Sequence, residues 1–130
     1  MPGYSTTPLI KKLGILPSSK VLLVNAPDTY ADWLEIDIAA QLTQKPTSAD
    51  FIHFFTTSSH ELKKVFKKLV QTVNPGTVIW ISWYKKSSGK ATDVTEDRIR
   101  EVVLPTGWVD VKVCAVSDEW SGLKIVRRKN

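Results

Sequence analysis

The sequence is short of the residues on which most readable chemistry depends. It holds one cysteine, Cys114. A lone cysteine closes no internal disulfide and builds no cysteine-based metal site, so a reducing compartment, the cytoplasm, is the simplest expectation. It holds two histidines, His53 and His60, seven positions apart. Without a third ligand nearby they form no metal-binding pattern. No apolar run approaches the roughly 20 residues that span a bilayer, so no membrane segment is expected. The opening MPGYSTTPLIKKLG lacks the basic start and long apolar core of a signal peptide. There is no G-x-x-x-x-G-K-[ST] phosphate loop, no internal repeat and no low-complexity tract.

What is present describes an ordinary folded chain. Its 130 residues suffice for a single domain, 1–130, with a real core. Hydrophobic residues make up 42% and charged residues 24%, usual values for a globular protein. Five tryptophans are many for this length, and their surface needs a core, a ligand site or a partner to cover it. The 18 basic residues outnumber the 13 acidic ones, a net charge of +5. Clustered on one face, that charge favours anions; scattered, it serves solubility alone.

Residues 78–90, VIWISWYKKSSGK, organise the rest. An apolar and aromatic run, free of charge until Lys85, breaks into lysines, serines and a glycine. Such a run reads as a strand buried on both faces. In an open α/β sheet, residues just past the carboxyl end of a strand face the crevice where ligands bind. Upstream, Thr7 and Pro8 start a short helix that Gly14 stops, with Ile15 folding back on it. Residues 21–24, VLLV, form a central strand. Residues 28–34 suit a short helix and 36–42 an edge strand, although a helical spacing also runs through Leu34, Ile38 and Leu42. Residues 50–55 form a second buried strand. Ser58 with Glu61 spells a capping box, followed by an apolar stripe through Leu62, Val65, Phe66, Leu69, Val70 and Val73. Asp93 with Glu96 marks another helix start. Residues 109–116 and 123–126 make a hairpin around a turn at 117–122. The order implies a three-layer α/β domain with a mainly parallel sheet of five or six strands and a C-terminal antiparallel hairpin at its edge.

Four phrases carry a resemblance: GYSTTPLIKKLGI, KVLLVNAPD, SWYKKSSGKATDVTEDRIRE and WVDVKVCAVSDEWSGLKIVRR. Together they resemble a bacterial family of small domains similar to a truncated class I S-adenosylmethionine-dependent methyltransferase. The resemblance implies a Rossmann-type, methyltransferase-like fold more than it implies an activity. One departure stands out. Where that pattern has a glycine-rich turn after the first strand, this chain has Asn25, Pro27 and Thr29. Pro27 has no N–H to donate, and the other two carry side chains where backbone should approach the cofactor. The acidic residue expected about 20 positions on has no counterpart, Glu35 and Asp37 lying too early. Binding of the methyl donor in its usual pose is therefore not expected.

Candidate site residues follow from the strand ends. Lys85, Lys86, Ser87 and Ser88, with Gly89 and Lys90, suit a phosphate or carboxylate, and Trp83 or Tyr84 could stack on a flat ligand. The plain alternative is a solvated loop. Asn25 and Asp28, at the end of the first strand, are expected to face the same crevice. Lys63, Lys64, Lys67 and Lys68 lie opposite an apolar stripe, the default place for solvated lysine. No aromatics interleave them, which argues against nucleic acid. His53 reads as a core or rim histidine, His60 as exposed and Cys114 as packing. Asp118 and Glu119 read as turn residues, and Asp110 as a weaker acid/base candidate. Three functions remain: a non-catalytic or weakly catalytic module binding a small anionic ligand, a methyltransferase with a non-standard cofactor site around Asn25, Asp28 and Thr56, and a protein-interaction module or homo-oligomer.

Overall fold

A computed structural model describes residues 7–129. Its centre is a five-stranded sheet in the order β1-β2-β3-β5-β4. The strands are β1 (Val21–Val24), β2 (Phe51–Phe55), β3 (Val78–Tyr84), β4 (Trp108–Ala115) and β5 (Trp120–Arg127). Pairings β1–β2 and β2–β3 are parallel, whereas β3–β5 and β4–β5 are antiparallel. The sheet is therefore mixed rather than mainly parallel. The final strand does not take the edge. It folds back between β3 and β4, and β4 becomes the edge.

Alternation along the strands sorts the core into two layers. Ile52, Phe54, Ile79, Ile81, Leu123 and Ile125 pack against α3 (Ser59–Thr72) and α4 (Glu96–Val103) through Leu62, Phe66, Leu69, Ile99 and Val103. Phe51, Phe55, Trp80 and Trp120 pack against α1 (Leu9–Leu13) and α2 (Tyr30–Leu34) through Leu13, Tyr30 and Leu34. Helices thus cover both faces. Trp80, Trp83, Trp108 and Trp120 are buried and Trp33 is half-buried, so the tryptophans are largely spent on the core.

Several boundaries differ from the sequence reading. The expected edge strand over 36–42 is a single turn, Ala39–Gln41, with only Leu42 bridging to Val21. Asp37 explains the turn: its Oδ1 accepts the N–H of Ala39 at 2.9 Å and offers the backbone a local alternative to a ladder. Pro8 occupies the cap position of α1 rather than its first helical position. Gly14 ends that helix at φ 84, with the N–H groups of Gly14 and Ile15 both reaching Ile10 O. Ser58 caps α3 by accepting from Glu61 N at 3.2 Å. Only half of the capping box forms, because the Glu61 carboxylate turns to the Thr56 hydroxyl at 2.7 Å. Thr95, not Asp93, caps α4, accepting from Arg98 N at 3.1 Å. Asp93 instead accepts from Ser59 N at 2.7 Å, tying the loop after β3 to the start of α3. The turn before β5 is shorter than 117–122, since Trp120 already belongs to the strand.

Candidate functional site

The carboxyl ends of β1, β2 and β3 share a rim. Asn25 follows β1, Thr56 and Thr57 follow β2, and Tyr84 ends β3; with Phe55, Glu61 and Trp120 they line one open hollow of about 410 Å³. Asn25 sits at φ 58, the left-handed region that favours glycine and that asparagine tolerates. Asparagine thus takes, after β1, a backbone conformation usually left to glycine. The rim is braced from below. Trp120 packs on Tyr84 at 4.1 Å between ring centroids and meets Phe55 edge-on at 4.9 Å.

A larger hollow of about 750 Å³ opens beside it, between the loop after β3 and the start of α4. Trp83, Tyr84, Lys85, Lys86 and Lys90 line one side, and Thr95, Glu96 and Asp97 the other. The loop is an ordered turn. Lys85 N donates to Glu119 O at 2.9 Å, Ser88 Oγ to Lys85 O at 2.7 Å, and Lys90 N to Ser88 Oγ at 3.1 Å. Gly89 closes it at φ 72. Lys90 pairs with Glu119 at 2.9 Å and lies over the Tyr84 ring, and Glu119 raises its pKa. Glu96 and Asp97 are both held by Arg100, which Asp110 also grips at 2.9 Å. These partners, Asp110 first, raise the Arg100 pKa. That leaves Lys85 and Lys86 as lining cations that form no ion pair among the described residues.

The candidate residues do not converge on one pocket. Lys85 and Lys86 line the larger hollow; Ser87 is exposed and does not line it, and Ser88 spends its hydroxyl inside the loop. Asn25 lines the rim hollow. Asp28, carried past Pro27 onto the α2 side of the sheet, lines a third hollow of about 340 Å³ with Tyr30 and Asp37. The expectation that Asn25 and Asp28 share a crevice with Lys85 is therefore corrected. Tyr84 lines both the first and the second hollow and forms the wall between them. Asp110 and Glu119 are engaged in ion pairs, and Asp118 is exposed. Cys114 is half-buried, and burial raises its pKa, which opposes thiolate formation. Among the described residues no three His, Cys, Asp or Glu side chains gather as a metal site. No helix among them is long and apolar enough to cross a membrane.

Sequence reasoning missed a buried polar chain beneath the rim. The Tyr30 hydroxyl meets His53 Nδ1 at 2.8 Å, and His53 Nε2 meets Ser82 Oγ at 2.7 Å. His53 and Ser82 are fully buried, and His53 stacks on Phe55 at 4.3 Å. Burial lowers the His53 pKa from 6.5 to about 3, so the ring is neutral at pH 7. A neutral imidazole satisfies both hydroxyls, one as donor and one as acceptor. Gly122 makes room above Ser82. A Cβ there would come within 2.8 Å of Val116 Cγ2 and 3.1 Å of Trp80 Cε3. The period-2 placement of His53, Trp80 and Ser82 on one face was the available signal; the pairing with Tyr30 was not.

No protein-family model matches the chain, and no curated protein does. Solved structures share its fold. A SAM-dependent methyltransferase from Aquifex aeolicus superposes with a TM-score of 0.59 at 14% identity, over 90% of this chain and 86% of that one. The ribosomal protein L11 methylase of Lactobacillus delbrueckii subsp. bulgaricus gives 0.55 at 13% identity, over 93% and 76%. The m1A22 tRNA methyltransferase of B. subtilis gives 0.60 at 8% identity, over 98% and 68%. The fold is methyltransferase-like and Rossmann-like. At these identities the likeness is one of fold alone.

Proposed function

We propose that this chain is a methyltransferase-like domain that binds a small anionic ligand at the strand ends rather than transferring a methyl group. One observation carries the reading. Lys85 and Lys86, unlike Lys90, have no ion-pair partner among the described residues and border the 750 Å³ hollow beside Trp83 and Tyr84. An uncompensated lysine pair next to an aromatic edge suits a phosphate or carboxylate on a flat group. Ser87 and Ser88 join the candidate set only if the loop rearranges on binding, while Asn25 and Asp28 line the two other hollows. The phrases quoted above support placing the chain among small bacterial domains of this kind, and its single cysteine supports the cytoplasm as its compartment.

Thermal-shift measurements with nucleotides and sugar phosphates test it. A ligand at 100 times its Kd adds about 2.7 kcal/mol of stability, which raises Tm by several degrees for a domain of this size. The Lys85→Ala, Lys86→Ala double variant loses that shift. Full retention of the shift, or no response to any anion, overturns the reading.

A second reading, methyl transfer from a non-standard cofactor site around Asn25, Asp28 and Thr56, is favoured by one observation. Asp37, whose place in the sequence is too early for the usual acid, lines the same hollow as Asp28 and Pro27. Against it stand Pro27 and the absence of a full strand outside β1, among the described residues, that would seat the cofactor's ribose.

A further inference from the structure

We propose that the groove between α3 and α4 docks an acidic segment of a partner protein through an apolar anchor seated between Lys63 and Lys67. Lys63, Lys64, Lys67 and Lys68 are all exposed on α3, and none forms an ion pair among the described residues. Lys63 and Lys67, like Lys64 and Lys68, are four apart, so they are neighbours on the helix surface and repel each other. The helix has one acid, Glu61, and it is turned to Thr56. Glu101, the acid lining the groove beside Lys63 and Lys67, is paired with Arg98 at 3.0 Å, whereas a row of carboxylates from a partner would relieve the repulsion.

Charge alone would be satisfied by solvent. The second observation is the groove itself, a cavity of about 410 Å³ beside this face. Val102 and Pro105 give it an accessible apolar floor over the buried Phe66, and Lys63, Lys67, Arg98 and Glu101 are its charged residues. Arg98 is already held by Glu101 at 3.0 Å, so Lys63 and Lys67 are the cations open to a partner. A nucleic-acid backbone has no use for an apolar floor. The one aromatic in the lining, Phe66, is fully buried and offers no stacking face. A protein segment uses both features: carboxylates meet the lysines while an aliphatic side chain enters the groove. The 14 residues of α3 extend about 21 Å, room for a segment of comparable length.

The probe is a fluorescein-labelled glutamate-rich peptide with two leucines one helical turn apart, titrated by fluorescence anisotropy against the whole chain. Controls are the same peptide with serine for leucine and an oligothymidylate of equal charge. The leucine peptide is expected to bind about tenfold tighter than the serine peptide, the factor that burying an aliphatic side chain supplies. Lys63→Glu with Lys67→Glu abolishes binding while far-UV circular dichroism stays unchanged, since both side chains are exposed. Lys85→Ala with Lys86→Ala leaves it intact, which separates this surface from the ligand site proposed above. Equal binding of the two peptides, tighter binding of the oligothymidylate, no binding, or retention in the Lys63/Lys67 variant overturns the proposal.

Discussion

His53 shows how one residue sets a pH dependence. Its ring is fully buried, bonded to Tyr30 and Ser82, and its pKa falls from 6.5 to about 3 because burial disfavours the charged form. Between those two values the unfolded chain takes up a proton that the native chain refuses. Stability from this group is therefore complete above pH 6.5 and is lost as pH falls toward 3, with a limiting slope of about 1.4 kcal/mol per pH unit. In His53→Gln the amide can still bridge the two hydroxyls but does not titrate. The variant should lose about 1–2 kcal/mol at pH 7 and show a flatter decline toward pH 4. Urea midpoints at pH 7, 5 and 4 measure both effects; parallel curves for the two proteins would refute the assignment. The sequence placed His53 in a buried strand by its apolar neighbours. It could not show that Tyr30, 23 positions earlier, supplies one of its partners, because α2 reaches the sheet only through the tertiary fold. Gly122 was equally opaque: it looked like a turn glycine but stands in β5 because Val116 and Trp80 leave no room for a methyl group.

At the level of elements, legibility followed periodicity. β2, α3 and β3 are long apolar patterns, and the chain folds as they indicate. Residues 36–42 carry both a strand and a helix period, and Asp37 decides the matter by a bond of two-residue span, leaving one bridge at Leu42. The start of α4 was misread for a different reason. Asp93 and Thr95 are both good caps, and only the fold directs Asp93 to α3. This makes a prediction that separates the two readings. Asp93→Ala should lower stability by about 1 kcal/mol and speed amide exchange at Ser59, at the start of α3. Thr95→Ala should act on Arg98, at the start of α4, by a similar amount. Hydrogen exchange resolved by residue checks this, and faster exchange at Arg98 than at Ser59 in Asp93→Ala would restore the sequence reading.

For the whole molecule, the outcome turns on what borders β1. Five strands in the order β1-β2-β3-β5-β4 put β1 at one edge, with a single bridge on its outer side. Pro27, standing where the methyltransferase pattern has glycine, and this open edge, visible only in the structure, both argue against a methyl-donor seat of the usual kind. Asn25 at φ 58 and Asp37 at the neighbouring hollow work in the other direction, keeping the turn and an acid nearby. Losing backbone donors and a ribose partner removes several hydrogen bonds, each contributing about 0.5–1.5 kcal/mol. Affinity should therefore drop by two or more factors of ten relative to a site that makes them. From a micromolar starting point, isothermal titration with S-adenosylmethionine is therefore expected to show no binding tighter than about 0.1 mM. A micromolar Kd that Asp37→Ala weakens tenfold or more would reverse the ranking of the two functions, because it would show Asp37 standing in for the missing strand. A micromolar Kd indifferent to Asp37→Ala would place the donor elsewhere, and Tyr84→Ala, which opens the wall between the two larger hollows, would then locate it.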